Sequence, residues 1–144
     1  MKNIVHNQQG FTLFEVLIVI ALFGMFATLA VFVGLDVYRG YSFRGEQLTL
    51  VGVLQKARNQ AINNINQTPH GVHITANHYS LFEGSTFTSG IDFPVSAGFT
   101  PSGATDIVFT HLSGNTSATS ITLTENNTGK ILTIHINNEG QINY

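Results

Sequence analysis

The chain has 144 residues and a formal net charge of −2, and only 10% of its residues are charged, against about 25% in an ordinary soluble domain. That length suits one domain with an appendage, and the charge excludes a bulk basic attraction to nucleic acid or anionic lipid. With no cysteine in the sequence, disulfides, thiolate metal sites and cysteine nucleophiles are excluded as well.

A short polar start, residues 1–10, carries Lys2 and His6. An apolar run follows. From Val16 to Leu35 the only polar side chain is Thr28, and none is charged. A helix of about twenty residues rises roughly 30 Å, the thickness of a bilayer's hydrocarbon core. Such a helix spans a membrane or is built to be buried on all sides. Phe11, Leu13 and Phe14 extend the run upstream, interrupted by Thr12 and Glu15. Thr28-Leu29-Ala30 offers a small-x-small site for ordinary signal cleavage. Against that, the run is longer than a signal peptide's apolar region, Glu15 lies within it, and apolar residues continue past Ala30.

Glu15 is the most informative residue. Insertion scales put Asp, Lys or Arg at about 2.5–3.5 kcal/mol at the centre of a membrane helix, and less nearer its end. An acid there either meets lipid headgroups or has a partner and a role.

The stretch Gly10-Phe11-Thr12-Leu13-Phe14-Glu15-Val16-Leu17-Ile18-Val19-Ile20-Ala21 resembles the processing and assembly signature of type IV pilins and of the pseudopilins of type II secretion and competence systems. The resemblance implies that residues 1–10 are a cytoplasmic leader. A membrane-embedded prepilin peptidase would cut between Gly10 and Phe11 and N-methylate Phe11. Residues 11–35 would stay on the mature protein as a transmembrane and filament-core helix. Glu15 would be the assembly glutamate, pairing with the Phe11 amine of a neighbouring subunit. Thr12 reads as a small polar residue at a helix start. Gly24 falls where many pilins carry a helix-weakening glycine, but Phe32 stands where a proline often follows. The partners implied are the peptidase, other pilin or pseudopilin subunits, the inner-membrane assembly machinery and the bilayer. The location implied is a single pass of the inner (cytoplasmic) membrane with the head outside the cytoplasm, then a periplasmic or cell-surface filament.

Residues 36–144 read as a soluble head. Asp36 to Gly45 is polar and contains Gly40, and is either continuous helix or a hinge. From Glu46 a helical period returns. Leu50, Leu54, Ala57, Ala61 and Ile65 mark one face of an amphipathic helix over about 46–66, with Gln47, Gln55, Arg58 and Asn59 elsewhere on its surface. Asn63, Asn64, Asn66, Pro69 and Gly71 stop it. Residues 11–66 can then form one helix of roughly 80 Å, its second half packed on the head.

Beyond Pro69 the pattern turns to strands. Val72 and Ile74 alternate with His73 and Thr75, and 79–82 follows a short loop at Asn77. Residues 83–105, rich in Gly, Ser, Thr and Pro, read as a long loop with room for short strands. Further strands are expected at 106–110, 119–125 and 130–137, the last two flanking a turn at Asn126-Asn127-Thr128-Gly129. A final strand ends at Tyr144. The fold class is therefore α+β, a long N-terminal helix packed on a C-terminal antiparallel β-sheet head. This layout looks like the H-type minor pseudopilin and minor pilin branch, and implies a minor pilin or pseudopilin.

The rest of the chain carries no recognisable catalytic motif. No P-loop, dinucleotide fingerprint or Ser-His-Asp grouping is present in the sequence. His70 and His73 lie on opposite faces of a strand, His78 and His111 are in or near loops, and His135 faces solvent. No metal site, no cofactor and no enzymatic activity is expected. From Asn59 onward the only basic residue, Lys130, faces Glu83, Asp92, Asp106, Glu125 and Glu139, a net charge near −4. The head is therefore a poor phosphate binder. The reading from another class is a membrane-anchored module whose β head recognises a ligand and never enters a filament.

Overall fold

A computed structural model describes residues 10–144. One α-helix, α1, runs Leu13–Ile62. Residues 36–45 are therefore helical. The chain divides into two compact units, one reaching to Tyr41 and the other Ser42–Tyr144. In the first unit, the part of α1 from Leu13 to Val31 leaves its apolar side chains exposed on every side. That is what a run without helical periodicity must do, because no single face can be turned inward.

In the second unit α1 shows the expected stripe. Leu50, Leu54, Ala57 and Ala61 are fully buried, joined by Val51 and Val53. Ile65, the next position on the stripe, is 44% exposed. The α-helix has already ended at Ile62, four residues before the expected end. Asn64 and Asn66 adopt left-handed conformations (φ 51° and 53°) around a single 3-10 turn, Ile65–Gln67. Asparagine tolerates that region better than other non-glycine residues. The Leu112 N–H then donates to the Ala61 carbonyl at 2.9 Å, satisfying one carbonyl at the helix end.

Eight strands follow: β1 (His70–Ile74), β2 (His78–Glu83), β3 (Ile91–Pro94), β4 (Phe99–Gly103), β5 (Asp106–Phe109), β6 (Thr119–Glu125), β7 (Ile131–Ile136) and β8 (Ile142–Asn143). The α+β class is as read, but the single expected sheet is two four-stranded antiparallel sheets, ordered β3-β2-β1-β5 and β4-β6-β7-β8. The 83–105 segment accounts for the difference. It contributes β3 to the edge of the first sheet and β4 to the edge of the second. Both strands carry a proline, Pro94 and Pro101, which an edge tolerates because it lacks a ladder donor. Val72, Leu81 and Ile107 from the first sheet and Ile121, Ile134 and Ile136 from the second close on the α1 stripe in one core. On β7, Ile134 and Ile136 point inward and His135 outward, the expected period of two.

One polar residue of α1 departs from the sequence reading, and a second, Glu46, which that reading placed on no face, is buried. Arg58, expected on the outer surface, is half-buried and donates to the Glu139 carbonyl at 3.0 Å. It fits because Gly114 and Gly140 meet beside it. A Cβ on Gly140, whose φ is 71°, would lie 2.0 Å from the Gly114 carbonyl oxygen and 3.0 Å from Arg58 Nε. Glu46 is 2% exposed. Its carboxylate accepts from Tyr79 Oη at 2.7 Å and from the Ser96 N–H at 3.1 Å. One buried acid thereby joins α1, β2 and the β3–β4 connection. Burial, and then the adjacent carboxylate, push the Tyr79 hydroxyl well above the ordinary tyrosine range.

Since this core is made within Ser42–Tyr144, a fragment from Arg39 onward should be soluble and fold cooperatively. In that fragment Glu46→Ala leaves the buried Tyr79 hydroxyl unpaired, at about 1–3 kcal/mol, and releases the N–H of Ser96, an exposed residue, to water. Urea unfolding should show a loss of about 1–3 kcal/mol, and Tyr79→Phe a smaller one. Unchanged stability in Glu46→Ala would refute the joining role of this carboxylate.

Candidate processing and assembly site

The N-terminal segment is built from one capped helix start. Gly10, Phe11 and Thr12 precede α1. The Thr12 carbonyl accepts from the Glu15 N–H at 3.1 Å and the Val16 N–H at 3.2 Å. Thr12 Oγ1 also accepts from the Glu15 N–H, at 3.2 Å. Thr12 is thus the N-cap, and Glu15 stands three positions later. The Thr-x-x-Glu spacing is that of a capping box, and its hydroxyl half is made here. This is a role that the sequence reading did not give Thr12, although the spacing alone signals it.

The cap explains how a carboxylate is tolerated at this point. Glu15 lies in the first turn of α1. There the unpaired N–H groups of the helix favour negative charge by about 0.3–1 kcal/mol at an exposed site. Its surroundings are otherwise apolar. Phe11 is 84% exposed, Leu13 88% and Phe14 71%. The stretch Leu13–Val31 has a mean hydropathy of 2.5 and is long and apolar enough to cross a membrane. Its one polar side chain beyond Glu15, Thr28, turns inward on its own helix. Thr28 Oγ1 approaches the Met25 carbonyl at 2.7 Å and the Gly24 carbonyl at 3.3 Å. The hydroxyl therefore presents no unpaired donor to an apolar surrounding. The helix runs unbroken through Gly24. Gly10 and Phe11 flank the expected cut, and both are exposed. Of the expected leader, residues 1–9 lie outside the described residues.

The head also brings polar and ionisable side chains together. Strand register brings Asp92, Ser80, His73 and Asp106 into one row across the first sheet. Serine, histidine and aspartate are thus neighbours in space, a grouping invisible in the linear sequence. The row is two separate pairs. The Ser80 hydroxyl donates to Asp92 Oδ1 at 2.5 Å, and His73 Nδ1 bonds Asp106 Oδ1 at 2.7 Å. Ser80 is fully buried, and its hydroxyl is directed to a carboxylate rather than to the imidazole, so it is not arranged as an activated nucleophile. The His73 ring is stacked at 4.1 Å on Phe87, whose ring also meets Phe82 edge-on. These contacts fold the β2–β3 loop back on the sheet. His70, three residues away, is buried, on the opposite face as expected.

Residues 5–31 match the family model described as the Prokaryotic N-terminal methylation motif. The start of the chain is therefore a prepilin-type N-terminus, of the kind that type IV pilins and pseudopilins carry. The matched segment contains Gly10, Phe11, Thr12 and Glu15. Among solved structures, the minor pseudopilin EpsH from the Type 2 Secretion System of Vibrio cholerae is similar over 72% of this chain and 91% of its own, with 10% sequence identity and a TM-score of 0.46. No curated protein matches the sequence.

The cap can be tested by itself. Thr12→Ala should weaken the first turn by about 1 kcal/mol. In detergent micelles, hydrogen exchange at the Glu15 and Val16 amides should quicken roughly fivefold, with exchange near Ala21 unchanged. Identical exchange at Glu15 would remove Thr12 as the cap.

Proposed function

We propose that the chain is a non-catalytic subunit of a type IV pilus-like filament or of a type II secretion or competence pseudopilus. The supporting observation is a methylation-type segment leading straight into a fully exposed apolar helix that carries one acid in its first turn. On this reading prepilin peptidase cuts between Gly10 and Phe11 and methylates the new Phe11 amine. The subunit waits in the inner membrane with its head outside the cytoplasm, and the assembly machinery then draws it into the filament. Minor and repeating subunits differ in copy number: the β-rich layout of the head suggests the minor role, and direct stacking of one copy on another would mark the repeating one.

The physical step is transfer of the helix from lipid into a bundle of like helices. Lipid chains are as apolar as the helix, so burying apolar surface gives little net drive. A charge pair gives more. A Phe11 amine and a Glu15 carboxylate from adjacent subunits are each costly alone in an apolar setting, and pairing offsets much of that cost. A pair made at one height also fixes axial register.

Glu15→Val should leave the processed band intact, since the change lies downstream of the cut. It should strongly reduce recovery of the subunit in sheared or cross-linked filaments, because breaking one side of a buried pair costs about 3–5 kcal/mol. Glu15→Gln, which keeps the shape without the charge, should fall between. Wild-type recovery of both variants would leave Glu15 as an interfacial carboxylate and contradict the pairing.

A further inference from the structure

At the end of the head where α1 stops, a cleft of about 260 Å³ opens between Gln60, the 3-10 turn and the β2–β3 edge. Its polar wall is made by His70 and Glu83, which face each other in the β1–β2 register. His70 is 3% exposed. Its Nδ1 lies 3.1 Å from the Thr68 carbonyl oxygen, so that nitrogen carries the proton. In the neutral ring Nε2 is then an acceptor, and it makes no hydrogen bond among the described residues. Glu83 is held by Asn66 Nδ2 at 2.9 Å and Thr68 Oγ1 at 3.0 Å. These two hydrogen bonds keep its carboxyl below the ordinary glutamate range. A carboxylate and an imidazole acceptor thus lie together, flanked by exposed Ile65 and Ile91. The chemistry asks for a cationic donor carried beside an apolar side chain.

The unit Ser42–Tyr144 has four basic side chains, and three are engaged. Lys56 lies 5.5 Å from the centre of the Phe93 ring, and Lys130 lies 4.5 Å from that of Phe43. Arg58 is tucked against Glu139. Arg44 is exposed and makes no hydrogen bond or ion pair among the described residues. Four residues on, one turn away on the same face, Leu48 is 62% exposed. An arginine beside a leucine complements a carboxylate between two isoleucines.

We infer that the His70–Glu83 cleft of one subunit receives Arg44 and Leu48 from the head of a second copy. Arg44 lies about 24 Å along α1 from Gln60 at 1.5 Å per residue, so one molecule cannot close this contact on itself. Copies anchored in one membrane share one polarity, and the contact is then heterologous: head to tail, and able to repeat along a filament. This rests on the filament reading, and adds that copies of this chain stack directly on one another, as repeating subunits do.

The sequence has no cysteine, so introduced ones report alone. Copies of the full chain bearing Gln47→Cys, three residues from Arg44 on α1, and Ser89→Cys, in the cleft wall, co-expressed and treated with a short bis-maleimide, should give a mixed dimer, with little dimer from either variant alone. The charge variants are then compared on this same cysteine pair, which leaves Arg44 and Glu83 in place. Arg44→Glu, an exposed change with no folding cost, should lower that cross-link about two- to fivefold, as for an exposed ion pair. Glu83→Gln, which keeps the side-chain shape, should do the same. The swap Arg44→Glu with Glu83→Arg should restore it. No mixed dimer, or equal cross-linking in all variants, would overturn the contact. If filament recovery stays normal in that case, the filament reading stands and only the stacking fails. If the subunit is absent from filaments while the mixed dimer forms, the contact stands and the filament reading fails.

Discussion

Apolar surface on Leu13–Val31 must be covered by something outside the chain. None of this stretch is buried by the rest of the molecule, and the residues that would have to face water include Phe14, Phe23 and Phe26, each more than 60% exposed. At about 25 cal/mol per Å² of apolar surface removed from water, leaving such a helix in solvent is prohibitive. Lipid and a bundle of similar helices are both acceptable covers, and they differ little in apolar energy. What separates them is the treatment of a charge. Thr28 is already satisfied by its own helix, whereas Glu15 is not neutralised by any basic group in the described structure. The one acid in the segment therefore decides which environment is better, and the filament proposal follows from that difference.

The head solves a different problem in the same helix. From Leu50 to Ala61 the side chains have a covered face, and two sheets supply the cover. Short strands bury little individually. The head therefore relies on a polar tie where α1 enters it. Glu46 is the kind of group that usually destabilises when buried, and it is retained because Tyr79 and Ser96 both donate to it. At the other end of the helix Arg58 lies against Gly114 and Gly140 where the two meet. Both ties are specific in direction and so fix the rotation of α1 against the sheets, which apolar packing alone leaves less strictly defined.

Much of this was legible in the sequence because it rests on local patterns. The apolar run, the stripe through Leu50, Leu54, Ala57 and Ala61, and the β6–β7 pair around Asn126–Gly129 all carry their own periodicity. Strand β6 falls at Thr119–Glu125, the span its alternation marks. What was not legible depends on distant partners. Nothing local places Glu46 inside, since its partners Tyr79 and Ser96 lie thirty-three and fifty residues on. The division into two sheets is hidden in a Gly- and Ser-rich segment whose strands β3 and β4 take their order from the sheets they join. The same holds for the row of Asp92, Ser80, His73 and Asp106, which only register brings together. At the candidate site, Gly10, Phe11 and Glu15 came from a linear motif. The cap at Thr12 was equally local, but its Thr-x-x-Glu spacing was hidden inside a stronger pattern.

The central claim is that the helix from Leu13 onward stays on a mature protein whose new N-terminus is Phe11. Mass spectrometry of the chain recovered from membranes of a host with an active prepilin peptidase tests it most directly. The account predicts an N-terminal peptide beginning with N-methylated Phe11 and containing Glu15, and unprocessed chain when the peptidase is absent. A mature protein beginning near Val31, with the apolar helix removed, would contradict it.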